Sequence, residues 1–563
     1  MLNVAKFNFM PDTASKLMVR PIAISRDVDN QNDAAITLEN AAPIQFVEIS
    51  KAATSHWDNA YEIINAESNY SFAEPEIDSS AMFYADEMLE DKGELPKDSY
   101  YQFLEDWTHP PLPGIWHLNM EFSQLRPARA AVKDSGKAKK IRIAHLDTGY
   151  HSAHISFPGK FIRKDLERNF VEGEEDRWPS AEDQLVDGLL KMPGHGTGTL
   201  SILAGAHVNI PELTFDDSIG LAHEIEIVPI RIAKSVVLFK TGAFVKAMGY
   251  ILNELSQAES TQIHVITMSM GGLASGAWAD VVNQAYEQGI FMVSAAGNNF
   301  KKLPTRTMVY PARFNRVVAA CGVAYDRSPY AKPWGEGSRY IMEGNYGPQS
   351  LMGTAVAAFT PNVPWATYRF NDVIGIRGDG TSSATPQIAA AAALYYSLHH
   401  DKLLTLPEPW MRVEAIRNAL FKSAEKIINH QNNRYEDDYT VYYGNGILQA
   451  MDMLKVPVSS PGQLTKQQID TVRFPFFKLI FGLKTTEETL DPEEEMMETE
   501  LMQLVLSDER LQVLLHNEEK RLDELSSAEK IKLADIILDT PRASTILKQQ
   551  MRLFRNQQLE NTL

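Results

Sequence analysis

Three short motifs in this chain carry side chains that could perform nucleophilic catalysis. Asp147 follows an apolar stretch and precedes a glycine, His195 stands between two glycines, and Ser382 lies in a turn of small residues. An imidazole can take up and return a proton near neutral pH, and a hydroxyl becomes a nucleophile when a base removes its proton. The turn at Ser382 leads into the apolar run 388–394, which indicates a buried helix. Because helix N-termini carry unpaired N–H groups, a negative oxygen that develops beside Ser382 would meet donors.

A fourth motif supplies an amide donor after another apolar stretch. Residues 294–299 read Ser-Ala-Ala-Gly-Asn-Asn, and the side-chain amide of Asn298 could donate to an oxyanion. Taken singly, each motif also has a plain structural interpretation, since serine before a helix usually caps it and asparagine after glycine usually marks a turn. Asp-Thr-Gly at 147–149 also marks aspartic proteases, which need two such carboxylates. The chain has no second copy, so that interpretation would require dimerisation through this motif.

The surrounding sequence alternates between strand and helix patterns, which predicts how the motifs are positioned. Apolar strand candidates occupy residues 141–146, 225–232, 264–270, 290–296 and 317–323. Helical stretches lie between them, one with Phe244, Met248 and Ile251 on a single face and another at 277–288. Apolar strands that alternate with helices favour an α/β fold with a parallel sheet covered on both faces, and active sites of such sheets gather at the carboxyl ends of the strands.

The motifs occur in the order Asp, His, Asn, Ser, and with their flanking residues they resemble the subtilisin-like serine proteases, or subtilases. The similarity covers roughly residues 116–454 and includes 443–450, which is similar to the closing segment of the family. The resemblance implies a subtilisin-like, doubly wound, mostly parallel sheet with helices on both faces. It also implies a serine endopeptidase that hydrolyses peptide bonds through an acyl-enzyme intermediate.

The resemblance further implies roles for single residues. Ser382 would be the nucleophile, His195 the base that removes its proton, and Asp147 the carboxylate that holds the imidazole. Asn298, with the backbone N–H of Ser382, would hold the oxyanion. The substrate backbone and the first specificity pocket would be formed by Ser269, Met270 and Gly271 on one side and by Ala295, Ala296 and Gly297 on the other.

The chain departs from the family pattern around the nucleophile. Ser383, Thr385 and Gln387 stand where the family usually has Met, Ser and His, and they should alter packing more than chemistry. No cofactor is predicted. The resemblance allows a structural calcium ion, but Asp216 and Asp217 are the only obvious acidic ligands near the usual place, so no metal site is predicted.

Composition and charge limit which binding partners and which cellular compartment are expected. The 563 residues carry a net charge of −19 and no Lys/Arg patch that would follow phosphates, so nucleic acid is not an expected partner. The segment 1–20 lacks the apolar core of a signal peptide, and no apolar run reaches membrane-spanning length. These features predict a soluble, cytoplasmic protein without a membrane partner. The apolar segment 474–481 is interpreted as a docking segment, and an interfacial membrane contact is the alternative. The single cysteine, Cys321, excludes an intramolecular disulfide and is expected to be a buried thiol.

The chain divides into six predicted segments. They are an N-terminal tail at 1–43, a βαβ piece at 44–78, a linker at 79–115, the catalytic domain at 116–455, a linker or docking segment at 456–486 and an acidic helical extension at 487–563. The α+β piece resembles the inhibitor-like propeptide of the family, which would assist folding or block the cleft. In the extension, Leu501, Leu504 and Leu511 contribute to an apolar stripe that should pack on the rest of the chain, and 526–529 match a capping box.

Two hypotheses compete with a simple active endopeptidase that cuts protein or peptide substrates. The first is a catalytically silent peptide-binding scaffold on the same fold. Retention of Asp147, His195, Asn298 and Ser382 argues against it, because such groups act as a unit. The second is a latent enzyme whose C-terminal helices bind a regulatory partner. Cytoplasmic retention would favour regulated cleavage of particular partners over bulk digestion.

Overall fold

The structure is a computed structural model that describes three parts of the chain: an N-terminal unit, a central domain and a C-terminal extension. The described residues are 16–22, 43–49, 55–66 and 69–77 in the N-terminal unit; 115–184, 193–211, 215–221, 225–236, 238–300, 307–331, 342–368, 371–426 and 439–474 in the central domain; and 491–515 and 524–561 in the extension. Most of the linker predicted at 79–115 and the part of the docking segment beyond Phe474 lie outside these ranges.

The N-terminal unit is a three-stranded antiparallel sheet with one helix. Its elements are β1 (Lys16–Pro21), β2 (Gln45–Glu48), α1 (His56–Ala66) and β3 (Tyr70–Pro75), and the strand order is β2-β1-β3. The predicted tail at 1–43 is therefore wrong for residues 16–21, which form the central strand. Leu17 and Val19 pack with Trp57 of α1, whereas Met18 packs in the core of the central domain. Burial on both faces removes the polar–apolar alternation by which a strand is recognised in a sequence.

The central domain is organised around a seven-stranded sheet in which all neighbouring strands are parallel. Its strands in chain order are β4 (Ile141–Asp147), β5 (Arg168–Asn169), β6 (His207–Ile210), β7 (Phe215–Ser218), β8 (Ile225–Arg231), β9 (Ala233–Ser235), β10 (Leu238–Phe239), β11 (Val265–Met268), β12 (Phe291–Ala295), β13 (Asn298–Phe300), β14 (Val318–Val323), β15 (Met342–Gly344), β16 (Ala355–Phe359), β17 (Val363–Ala366) and β18 (Ile374–Gly378). The large sheet has the order β16-β14-β12-β11-β4-β8-β5, and the other strands form two-stranded ribbons. The predicted parallel sheet is confirmed, with β5 and β16 as edge strands that the sequence patterns did not predict.

Helices cover both faces of this sheet. They are α2 (Leu125–Asp134), α3 (His195–Ala204), α4 (Thr241–Gly249), α5 (Gly276–Glu287), α6 (Thr381–Leu403), α7 (Trp410–Ser423), α8 (Thr440–Tyr443) and α9 (Ala450–Lys455). One core contains α4 and α5, and the other contains α2, α3, α6 and α7. The alanine run of α6 is fully buried against the strands, as the apolar sequence after Ser382 predicts. Cys321 is buried too, and burial raises the pKa of its thiol to about 12.

The C-terminal extension packs on the α4–α5 side of the central domain. It consists of α10 (Pro492–Ser507), α11 (Glu509–Leu514), α12 (Ser527–Asp539) and α13 (Thr545–Glu560). The predicted stripe residues Leu501, Leu504 and Leu511 lie in the same core as α4 and α5, so the stripe is covered by the chain itself. The predicted capping box is present at the start of α12, where the Ser526 and Glu529 side chains bond reciprocally to backbone N–H groups. None of the described helices is long and apolar enough to span a membrane.

Candidate active site

The four residues with predicted chemical roles lie at the carboxyl ends of β4 and β12, the two strands that flank β11, and at two helix N-termini. Asp147 is the last residue of β4, Asn298 follows β12, and His195 begins α3. Helix α3 lies very close to the turn after β4: a Cβ atom on Gly196 would be 1.9 Å from the Gly149 carbonyl oxygen. Only glycine at position 196 permits this close contact, which places the His195 side chain against Asp147.

Asp147 and His195 form a direct hydrogen bond. The distance between Nδ1 of His195 and Oδ1 of Asp147 is 2.7 Å, and the Asp147 side chain has no exposed surface. Burial alone raises the pKa of this carboxyl, but the adjacent His195 lowers it by charge and hydrogen bonding, and the pKa stays below its ordinary value. Because the carboxylate carries no proton, Nδ1 of His195 must donate, and Nε2 of the neutral ring is left as a proton acceptor. Among the described residues, Nε2 has no hydrogen-bond partner.

The Ser382 hydroxyl lies in the same site but is not bonded to the imidazole. Ser382 Oγ donates to the Ser269 carbonyl oxygen at 3.1 Å, and Ser269 Oγ donates to the Ser382 carbonyl oxygen at 3.0 Å. Within the described part of the chain, the structure therefore joins Asp147 to His195 but does not join His195 to Ser382 by a hydrogen bond. A serine side chain occupies three staggered rotamers, and catalytic hydrogen bonds often form fully only with substrate.

The side-chain amide of Asn298 is oriented by hydrogen bonds to its oxygen atom. The backbone N–H of Thr381 lies 2.9 Å from Asn298 Oδ1, and the Thr381 hydroxyl lies 3.2 Å from the same atom. A backbone N–H can only donate, so the atom it meets must be the amide oxygen. Nδ2 is then the donor end of the amide, and it lies beside Gly380, which directly precedes α6 and is two residues before Ser382.

The two predicted substrate-binding segments lie on neighbouring strands of the sheet. Ser269, Met270 and Gly271 directly follow β11. Ala295 is the last residue of β12, and Ala296 and Gly297 follow it. Val309 lies between the two glycines: Cβ atoms placed on Gly271 and Gly297 would be 2.2 Å and 3.0 Å from its Cγ2 atom. The Val309 N–H also donates to the Ala296 carbonyl oxygen at 2.9 Å. This side chain therefore narrows the space between the two segments.

Three residues at the site were not identified from the sequence. Val309 is one. Trp365 stands edge-on to the His195 ring, with centroids 6.3 Å apart. The Asp183 carboxylate accepts from the Thr148 hydroxyl at 3.0 Å and from the Gly194 N–H at 3.1 Å, and so links the turns that carry Asp147 and His195. None of them stands in a local pattern typical of catalysis, so only the folded chain reveals these contacts.

Metal ligands are not evident in the described residues. No group of three or more histidine, cysteine or acidic side chains there is arranged to hold a metal ion. The two acids considered for calcium have protein partners instead: Asp216 lies 3.3 Å from His207, and Asp217 pairs with Arg126 and Arg129. The expectation about calcium stays a prediction.

The sequence around this site matches a known protein family. The model of the subtilase family matches residues 138–446, a range that contains all the candidate site residues. Subtilisin E of Bacillus subtilis (strain 168) is 25% identical over 363 residues, which cover 63% of this chain and 76% of that protein. Subtilisin DY of Bacillus licheniformis is 25% identical over 55% of this chain and 90% of its own length. A subtilisin of Bacillus pumilus is 28% identical over 46% of this chain and 78% of its own length.

Proposed function

Since this chain belongs to the subtilase family, we propose that it is a serine endopeptidase that cuts protein or peptide substrates through an acyl-enzyme intermediate. The observation that carries the proposal is the buried 2.7 Å hydrogen bond between Asp147 and His195, which leaves the second ring nitrogen ready to accept a proton. The neighbouring Ser382 hydroxyl supplies the nucleophile.

In the proposed reaction, Ser382 Oγ rotates away from the Ser269 carbonyl and attacks the carbonyl carbon of the scissile bond. His195 Nε2 takes the hydroxyl proton and returns it to the leaving amine nitrogen when the carbon–nitrogen bond breaks. Asp147 keeps the imidazole in the required tautomer and stabilises the imidazolium. Water then attacks the ester carbon, His195 takes a proton from that water, and the Ser382 oxygen leaves with the proton.

We assign the oxyanion to Asn298 Nδ2 and the backbone N–H of Ser382. The Thr381 N–H fixes the amide oxygen of Asn298 and thereby supports donation from Nδ2. Removal of such a donor typically lowers kcat by about a hundred- to a thousandfold. We expect Asn298→Ala to lower kcat by this factor and to leave KM nearly unchanged, measured with a fluorogenic peptide, because the oxyanion exists only during reaction.

We propose that the substrate binds as an extended strand along 269–271 and places one side chain between Gly271 and Gly297. Main-chain pairing gives affinity with little sequence demand, whereas the pocket selects the side chain. Because Val309 narrows this pocket, small side chains such as alanine are the proposed preference.

We also propose that the N-terminal unit is an inhibitor-like domain that holds the enzyme latent. The Glu74 carboxylate accepts from the Ser275 hydroxyl at 2.6 Å and from the Ala277 N–H at 2.9 Å, at the start of α5. Ile77 and Thr241 exchange two hydrogen bonds at the start of α4. These contacts support stable docking beside the strands that carry the site. A regulatory partner would have to loosen them, and the C-terminal helices are the proposed place for it to bind.

The alternative of a catalytically silent scaffold is separated from the proposal by a fluorophosphonate probe, which phosphonylates activated serines. We expect wild-type protein to be labelled and Ser382→Ala to be unlabelled, with peptide hydrolysis lost in the same variant. If the wild type is not labelled, even after the N-terminal unit has been released by limited proteolysis, the scaffold is favoured. The proposed cytoplasmic location is tested separately, by cell fractionation.

A further inference from the structure

A second histidine contacts the candidate catalytic carboxylate through a threonine. His145 and Asp147 are two residues apart on β4, and His195 and Thr199 are four residues apart on α3. Residues at these spacings share a face of a strand and of a helix, respectively. The two faces meet at Asp147, where Thr199 Oγ1 lies 3.0 Å from Asp147 Oδ2 and His145 Nε2 lies 2.9 Å from Thr199 Oγ1.

The direction of these hydrogen bonds follows from counting protons. A threonine hydroxyl has one proton, and the oxygen atoms within reach of it are Asp147 Oδ2 at 3.0 Å and the carbonyl oxygens of His195 and Gly196 at 3.2 Å and 3.3 Å. His145 Nε2 is 3.8 Å from Asp147 Oδ2, too far to donate to it directly. A fully buried carboxylate oxygen is costly to leave without a donor, so Thr199 donates to Asp147. The hydroxyl can then only accept from His145, whose Nε2 must carry a proton.

We propose that Thr199 and His145 are positioning residues, which hold Oδ2 of Asp147 so that Oδ1 stays aligned with Nδ1 of His195. The inference rests on the proposed peptidase function. His145 is 2% exposed, and burial lowers its pKa to about 4, so the ring is neutral near pH 7 and donates without adding a charge. Neither residue touches the reacting atoms of the proposed reaction; both act through Asp147.

The chain offers a matched set of variants. Thr199→Val removes the hydroxyl and keeps the shape, whereas Thr199→Ser keeps the hydroxyl. The control is Thr267→Val on β11, which makes the same chemical change at a buried threonine whose hydroxyl has no hydrogen-bond partner among the described residues. Two readouts apply to the full-length protein: the rate of fluorophosphonate labelling at Ser382, and the low-field NMR resonance of the His195 Nδ1 proton in protein with ¹⁵N-labelled histidine.

We expect Thr199→Val to slow labelling by about ten- to a hundredfold, as for loss of one hydrogen bond to a charged group, and to shift or broaden the Nδ1 resonance. Thr199→Ser and Thr267→Val should keep the wild-type rate and resonance. A Thr199→Val protein with both readouts unchanged overturns the inference. Should Thr199→Val fail to fold, the comparison of His145→Leu with His145→Gln tests the inference instead. His145→Leu removes the donor to Thr199 and should slow labelling and shift the Nδ1 resonance. His145→Gln supplies an amide donor and should keep the wild-type rate and resonance.

Failure of the peptidase proposal has a different signature. In that case the wild type itself is not labelled. The Nδ1 resonance still compares wild type with Thr199→Val, so the positioning role is supported by a shifted resonance and contradicted by an unchanged one.

Discussion

At the scale of single residues, the Asp147 carboxylate of the candidate site accepts hydrogen bonds on both of its oxygen atoms. Oδ1 accepts from His195 Nδ1 and from the Thr148 N–H, each at 2.7 Å, and Oδ2 accepts from Thr199. The type and order of the acid, base and nucleophile could be predicted from the sequence, because each stands in a distinctive local motif. The contacts of Thr199 could not be predicted, because they depend on how closely Gly196 lets α3 approach the end of β4.

Val309 is expected to set the size of the specificity pocket. Val309→Ala removes two methyl groups from the space between Gly271 and Gly297. Substrates with a large apolar residue before the cut should therefore be hydrolysed more efficiently, relative to substrates with alanine at that position. We expect kcat/KM for phenylalanine over alanine to rise by about tenfold or more, a typical gain for a few methylene groups of pocket space. Paired fluorogenic peptides measure this ratio.

The control for this prediction is Val317→Ala, which also shortens a buried valine but lies in the core beside α5. It should lower the free energy of unfolding by about 1–2 kcal/mol and leave the ratio unchanged. A ratio that responds equally to both substitutions would show that Val309 does not line the pocket.

At the scale of elements, helix N-termini organise both the site and the docking of the N-terminal unit. Ser382 lies in the first turn of α6, and Glu74 meets the first turn of α5. The strands beside the site were predictable because their apolar runs are long and uniform. β1 was not, because both of its faces are covered by parts of the chain that are remote in sequence, α1 on one side and the central domain on the other.

Docking of the N-terminal unit should weaken as the pH rises. Burial raises the pKa of Glu74 to about 7 from an ordinary 4.5, although the donors of α5 oppose the shift. The docked state then keeps a proton that the undocked state has lost, so the stabilisation is complete below about pH 4.5 and is lost as the pH approaches 7. Asp280 and Glu500, whose burial raises the pKa to about 6 and about 8, act in the same direction.

Hydrogen exchange of the β3 amides, measured from about pH 5 to about pH 8 and corrected for intrinsic rates, checks this expectation. Glu74→Gln should reduce the dependence on pH, because a neutral amide keeps its shape without a titrating proton. A wild-type protection that is constant over this range, or a slope that Glu74→Gln leaves intact, would contradict the account of Glu74.

At the scale of the whole molecule, the C-terminal extension fastens the N-terminal unit to the central domain. The Arg20 guanidinium of β1 bonds to Asp280 of α5 at 2.7 Å and to Glu495 of α10 at 2.9 Å, and so joins all three parts. The Trp57 indole N–H donates to Gln503, whose amide donates to the Ala274 carbonyl oxygen. The sequence predicted that the extension packs on the chain, but not which surface it covers.

Gln503→Ala should loosen this assembly. The substitution leaves the Trp57 N–H and the Ala274 carbonyl without their buried partner, at a cost of about 1–3 kcal/mol each. If the N-terminal unit keeps the enzyme latent, peptide hydrolysis should rise as that unit opens more often.

The matched control is Gln512→Ala, a buried glutamine whose amide bonds to the Val505 carbonyl oxygen within the extension itself. Gln512→Ala should lower the free energy of unfolding without raising the rate of peptide hydrolysis. Equal activation by both variants would mean that general destabilisation, rather than the Trp57–Gln503–Ala274 contact, releases the enzyme.

The central claim is that Ser382, His195, Asp147 and Asn298 form one serine-peptidase site. A crystal structure of the protein after reaction with a fluorophosphonate tests it most directly. The account predicts phosphorus bonded to Ser382 Oγ, with one phosphonyl oxygen within hydrogen-bond distance of Asn298 Nδ2 and of the Ser382 N–H. An adduct on another residue, or a phosphonyl oxygen that points away from Asn298, would contradict it.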